Sequence, residues 1–155
     1  MPSESQDLHT LGRVVIEILE EAAFLFCEPM DEMNRTELSS EVLMAKLGFT
    51  GPSSGDMIFS APPETASEIA ANLLGVDPDD PEVSGKGAEA VGEILNIIGG
   101  ALLKEWFGSS ADFEMGIPEV MKITGAELEK NTAQAALHLP LMTDEGFRID
   151  AAVIR

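Results

Sequence analysis

The sequence predicts an α+β fold, an antiparallel β-sheet covered by helices, with residues 1–155 forming a single domain. Three observations predict it. Three runs carry apolar residues at helical spacing, shorter runs have strand length and are joined by turn clusters, and the two kinds do not alternate regularly as strand-helix-strand units would. No Pro/Gly/Ser-rich linker divides the chain, and 155 residues, 45% of them apolar, suffice for one core.

The first helix is predicted over Asp7 to Glu28, with Leu8, Leu11, Val15, Leu19, Ala22 and Phe26 on one face and Pro29 ending it. Glu37 to Thr50 and Asp56 to Ala61 read as strands joined through Gly51-Pro-Ser-Ser-Gly55, a β-hairpin signal. Pro63 to Leu74 is a second helix, with proline in its first turn and Gly75 past its end. The third is predicted from Ser84, as N-cap, to Phe107. Strands are predicted over Asp112 to Thr124, Lys130 to Met142 and Phe147 to Ile154. In the last of these, Phe147, Ile149, Ala151 and Val153 alternate with Arg148, Asp150 and Ala152.

Composition excludes several functions. A formal charge of −19, from 28 acidic and nine basic residues, disfavours nucleic acid and anionic membranes, which need clustered cations. No segment approaches the roughly 20 apolar residues of a membrane span, and the N-terminal residues carry neither a basic flank nor an apolar run. The expected setting is cytoplasmic. Cys27 is the single cysteine, so no intrachain disulfide can form, and with apolar neighbours it reads as structural. His9 and His138 show no metal-ligand partners in the sequence. The acidic run Asp77 to Glu82 lacks the central glycine of a calcium loop and reads as a solvated connection.

The third helix carries the chemistry. At roughly 100° per residue, Glu89, Glu93, Asn96 and Gly100 fall within about 60° of one another, while Val91, Ile94, Leu95, Ile98, Leu102 and Trp106 face the other way. An acid and an amide are presented together. Gly99 and Gly100 each cost about 1 kcal/mol relative to Ala in a helix interior, which predicts packing at Gly99 and access at Gly100. A faint internal repeat accompanies this helix: Val15-Ile-Glu-Ile-Leu-Glu20 aligns with Val91-Gly-Glu-Ile-Leu-Asn96, and Glu41-Val42 with Glu119-Val120.

Glu93-Ile-Leu-Asn96, the Ile-Ile-Gly-Gly that follows it and Gly116-Ile-Pro118-Glu-Val120 resemble the CheC/CheX/FliY group of chemotaxis phosphatases, most closely CheX. The group's pattern is an Asp or Ser, three residues, Glu, two residues, Asn, and a proline about 22 residues on. This sequence departs from it twice. Glu89 stands where Asp or Ser is usual, and 21 residues, 97 to 117, separate Asn96 from Pro118.

The resemblance implies two pseudo-symmetric halves, a homodimer and dephosphorylation of a CheY-like response-regulator receiver domain whose own site holds the aspartyl phosphate and Mg²⁺. No cofactor is implied in this chain. Asn96 would orient the attacking water and Glu93 would pair with the receiver's phosphate-contacting lysine, with Glu89, Gly100 and Pro118 in partner contact. In the first half Glu17 and Glu20 match Glu93 and Asn96. A carboxylate at position 20 would repel phosphate, so that half is expected to be inactive. Two alternatives stay open at this level: a receiver-binding or flagellar-switch module without turnover, and an ordinary solvated helix face.

Overall fold

A reciprocal cap starts the first helix. In the computed structural model, which describes residues 3–31 and 37–155, the Ser3 hydroxyl accepts from the Gln6 N–H at 3.2 Å and the Gln6 side chain accepts from the Ser3 N–H at 3.2 Å. Helix α1 then runs Glu4–Ala23 and buries Leu11, Val15 and Leu19. It stops short of the predicted end. Phe24 adopts a left-handed conformation (φ 51°) and the Leu25 N–H reaches back to the Leu19 carbonyl at 3.0 Å, reversing the chain. Phe26 and Cys27 therefore leave the helix, and Cys27–Pro29 form strand β1.

Strands β2 (Glu41–Thr50) and β3 (Gly55–Ala61) form the predicted hairpin, in register from Leu43 opposite Ala61 to Phe49 opposite Gly55. Glycine is required at 55, because a Cβ there would meet the Ile154 carbonyl oxygen at 2.1 Å. Helix α2 spans Pro63–Leu74 as predicted, closed by Gly75 in the left-handed region. Helix α3 spans Gly87–Phe107 and starts later than expected. Ser84 ends a 3-10 turn over Pro81–Val83, in which Asp80 accepts from the Glu82 N–H at 2.9 Å, so the acidic loop supplies a cap.

The region after Gly108 departs most from expectation. The predicted strand over Asp112 to Thr124 is interrupted at Gly116-Ile117-Pro118 into β4 (Glu114–Met115) and β5 (Glu119–Thr124). The start of the strand predicted from Lys130 is instead the end of a fourth helix, α4 (Gly125–Ala133). Its cause is local: Thr124 accepts from the Glu127 N–H at 3.1 Å, and its hydroxyl donates to the Glu127 carboxylate at 3.2 Å. Strands β6 (Leu137–Thr143) and β7 (Arg148–Ile154) complete the chain.

All seven strands join one antiparallel sheet in the order β1-β6-β7-β3-β2, with β4 and β5 both paired to β2 at the far edge. Exchanging β1 with the interrupted β4–β5 strand, β2 with β6 and β3 with β7 returns the same order reversed. The helices obey the exchange too, α1 packing on β6 and α3 on β2. Two pseudo-symmetric halves follow, and the matched segments of α1 and α3 mark them. The Glu-Val matches do not: β2 and β5 are antiparallel neighbours, with Glu41 opposite Thr124, and are not equivalent strands.

Helices α1, α2 and α3 cover one face of the sheet. Val15, Leu19, Ile69, Ile94, Leu95, Ile98 and Leu102 pack there on Leu47, Phe59, Leu141 and Ile149, and burial of each large side chain contributes about 1.5–3 kcal/mol. On the opposite face Leu128 of α4 packs with Val42, Met44, Ile58 and Ala152. Strand β7 is thus buried on both sides. No helix among the described residues is long and apolar enough to cross a membrane.

Candidate functional site

Helix α3 is anchored by what it buries. Val91, Ile94, Leu95, Ile98, Leu102 and Leu103 lie on its covered side, which leaves Glu89, Glu93 and Asn96 exposed on the other; Trp106 is half-buried. The helix is fixed against the sheet by close approach. A Cβ at Gly99 would come within 2.9 Å of Leu47 Cδ2 and 3.1 Å of Met115 Sδ, so the packing predicted for this glycine is present. Tilted stacking of Phe49 on Phe107 and of Phe107 on Phe113, with centroids 6.5 and 6.4 Å apart, holds the end of α3 and the chain that returns from it.

That return brings Gly116, Ile117 and Pro118 alongside the exposed face of α3. An open groove of about 540 Å³ results, lined by Glu89, Gly92, Glu93, Asn96, Ile117 and Pro118 among others. Gly92 allows this proximity, since a Cβ there would lie 3.2 Å from Val120 Cγ2 and 3.7 Å from Pro118 Cβ. The short spacing between Asn96 and Pro118 does not separate them. Both line the same groove.

The other site residues divide. Gly100 lies one turn beyond Asn96 and is not part of the groove lining; a Cβ there would meet only Met115 Cε, at 3.9 Å, so no packing demand accounts for this glycine. Glu89 lines the groove but also pairs at 3.6 Å with Lys86, the residue just before the helix, and neither side chain is buried. Such a pair is worth about 0.2–0.5 kcal/mol. Glu89 and Glu93 also border a second groove of about 260 Å³, formed with Ala70, Leu73, Leu74, Lys86 and Ala90. The acidic ridge therefore stands between two grooves.

Gly92, Lys86, Leu73, Leu74 and Ile117 line these grooves without a role expected from the sequence, although Ile117 stands within the Gly116-Ile-Pro118 segment. Ile117 carried the clearest signal, because an apolar residue between Gly and Pro cannot continue a helix and is confined to extended backbone. Cys27, in β1 and half-buried, has its thiol pushed up to about 11 by burial and then by the Asp144 charge, which suppresses the nucleophilic thiolate. Among the described residues no His/Cys/Asp/Glu cluster could hold a metal ion.

The chemotaxis phosphatase CheX family profile matches residues 43–142. The fold is similar to that of chemotaxis protein CheX from Vibrio vulnificus, with TM-score 0.67, 22% identity and 99% of each chain covered. It is similar too to CheX in the CheX-CheY-BeF3-Mg complex from Borrelia burgdorferi, with TM-score 0.65, 19% identity, and 95% of this chain and 97% of that one covered. FliY from Thermotoga maritima is more distant, at TM-score 0.59 and 14% identity, with 99% of this chain and 92% of that one covered. No curated protein gives a significant match. With the profile spanning more than half its length, the chain belongs to the CheX family of chemotaxis phosphatases.

Proposed function

We propose that this chain hydrolyses the aspartyl phosphate of a CheY-like receiver domain, with Asn96 orienting the attacking water. The observation that carries the reading is the joint placement of Glu93 and Asn96, exposed on a helix whose opposite side is buried, in a groove bordered by Pro118. A rigid helix holds an amide at fixed height above a docked surface, and fixed geometry is what an in-line water attack requires. The receiver brings the phosphoryl group and its own Mg²⁺, so this chain supplies orientation and no nucleophile.

A carboxamide suits the task because it both donates and accepts a hydrogen bond while adding no negative charge beside a phosphate. Glu93, one turn earlier, is placed to pair with the receiver's phosphate-contacting lysine and so to set the register of the complex. Glu89, tied to Lys86, contributes to the ridge and its charge. Gly100 leaves clearance beyond Asn96. The same reading carries a cytoplasmic setting, suited to the lone free thiol, and a homodimer joined through a sheet edge.

The test is the decay of a phosphorylated CheY-like receiver with and without the chain. The wild type accelerates decay, and Asn96→Ala and Glu93→Ala each lose most of that acceleration. No acceleration by the wild type overturns the enzymatic reading in favour of a receiver-binding module without turnover. Full activity in Asn96→Ala overturns the role given to the amide.

A further inference from the structure

A helix ridge carrying Glu93 and Asn96 is too narrow to hold a protein partner alone. Specific complexes bury about 800 Å² on each side, so the contact must spread to both flanks of α3. Both flanks carry exposed apolar side chains. The large exposed apolar residues among those described are Phe24, Phe26, Leu73, Leu74, Ile117 and Met121. Three of them, Leu73, Leu74 and Ile117, line the two grooves that share Glu89 and Glu93.

These side chains are held out on fixed backbone. Ile117 is 88% exposed, yet the Gly116 N–H before it donates to the Gly48 carbonyl at 2.8 Å and Pro118 after it restricts its backbone. Leu73 and Leu74 end α2, where the Gly75 N–H closes onto the Asn72 carbonyl at 3.3 Å and the Asn72 side-chain amide donates to the Ala23 carbonyl at 2.5 Å. Anchors fixed beforehand lose little freedom on binding.

We propose that the two grooves form one docking surface, in which Ile117 on one flank and Leu73 and Leu74 on the other grip apolar side chains bordering the receiver's phosphorylated aspartate. The inference rests on α3 being the receiver-facing element. The occupant follows from what lies between the flanks: the exposed Glu93, which borders both grooves, fits a cation flanked by apolar surface, and the receiver's lysine beside its phosphorylation site supplies it. Affinity then resides in the flanks and turnover in Asn96.

The experiment pairs two measurements on a CheY-like receiver: Kd for its beryllofluoride-activated form, and kcat and KM for decay of its phosphorylated form. Ile117→Ser and Leu74→Ser each raise Kd and KM about tenfold with kcat within about twofold, whereas Phe24→Ser, exposed but away from both grooves, changes neither. An unchanged Kd in either groove variant overturns the two-sided grip. The two readings fail separately. A wild type that binds tightly, is weakened by both variants and does not speed decay keeps the docking surface and loses the phosphatase. A wild type that speeds decay with variants of unchanged Kd does the reverse, and absence of binding by the wild type removes both.

Discussion

At the scale of single residues, the amide of Asn96 is the sharpest point of the structure. Replacement by Asp keeps the shape and exposure of the side chain but removes the donor and places a negative charge where the proposed mechanism brings the phosphoryl oxygens. Misdirected water alone costs on the order of a hundredfold, and the added repulsion acts in the same direction. Asn96→Asp is therefore expected to fall to the level of Asn96→Ala or below, with the fold unchanged by circular dichroism. Retained activity in Asn96→Asp would show that position 96 acts by accepting a hydrogen bond only. Glu89 differs from its neighbours in having a partner already, Lys86 at the N-cap of α3, 3.6 Å away, so its carboxylate is the least free of the ridge to engage another protein.

At the scale of elements, the two halves use equivalent helices for different ends. Helix α1 exposes Glu17 and Glu20 as α3 exposes Glu93 and Asn96, but Glu17 pairs with Arg13 at 3.7 Å and Glu20 offers no donor. Glu20→Ala is expected to leave receiver dephosphorylation within about twofold of wild type, since an exposed surface change away from the reacting groups alters little. A large loss would make α1 a second site.

The sequence made some of these elements legible and hid others for physical reasons. Helix α3 declares itself because its buried positions recur at 3.6-residue spacing, and the same spacing brings Glu93 and Asn96 to one face. Helix α4 has few apolar anchors, with Leu128 fully buried, so periodicity missed it; the Thr124-x-x-Glu127 cap was the available sign. The end of α1 rests on a left-handed Phe24, which carries no glycine to announce it. The second groove could not be read at all, because Leu73 and Glu93 come to line one groove only through the packing of α2 on α3.

At the scale of the whole molecule, the face of the sheet turned away from α3 holds its most consequential charge group. Asp150 is 1% exposed; it accepts from His138 Nε2 at 2.7 Å, from Arg148 Nε at 3.0 Å and from Arg148 Nη2 at 2.9 Å, joining neighbouring strands β6 and β7. Burial by itself would raise this carboxyl, but the hydrogen bonds from His138 and Arg148 and their charges outweigh it and hold it below its ordinary value. A carboxyl lowered in the folded state stabilises the fold fully above the unfolded value of about 3.9, and that stabilisation is lost as pH falls through the lower folded value. The chain is accordingly expected to hold its stability toward neutral pH and to lose part of it below about pH 4. Asp150→Asn leaves the Arg148 side chain without this carboxylate and should destabilise the fold by about 3–5 kcal/mol at pH 7, with a shallower decline in acid. Urea unfolding of both forms between pH 7 and pH 3 measures this. Parallel acid profiles would place the acid sensitivity in other carboxylates, and because Asp150 lies across the sheet from α3, the folded fraction of Asp150→Asn should keep its action on the receiver.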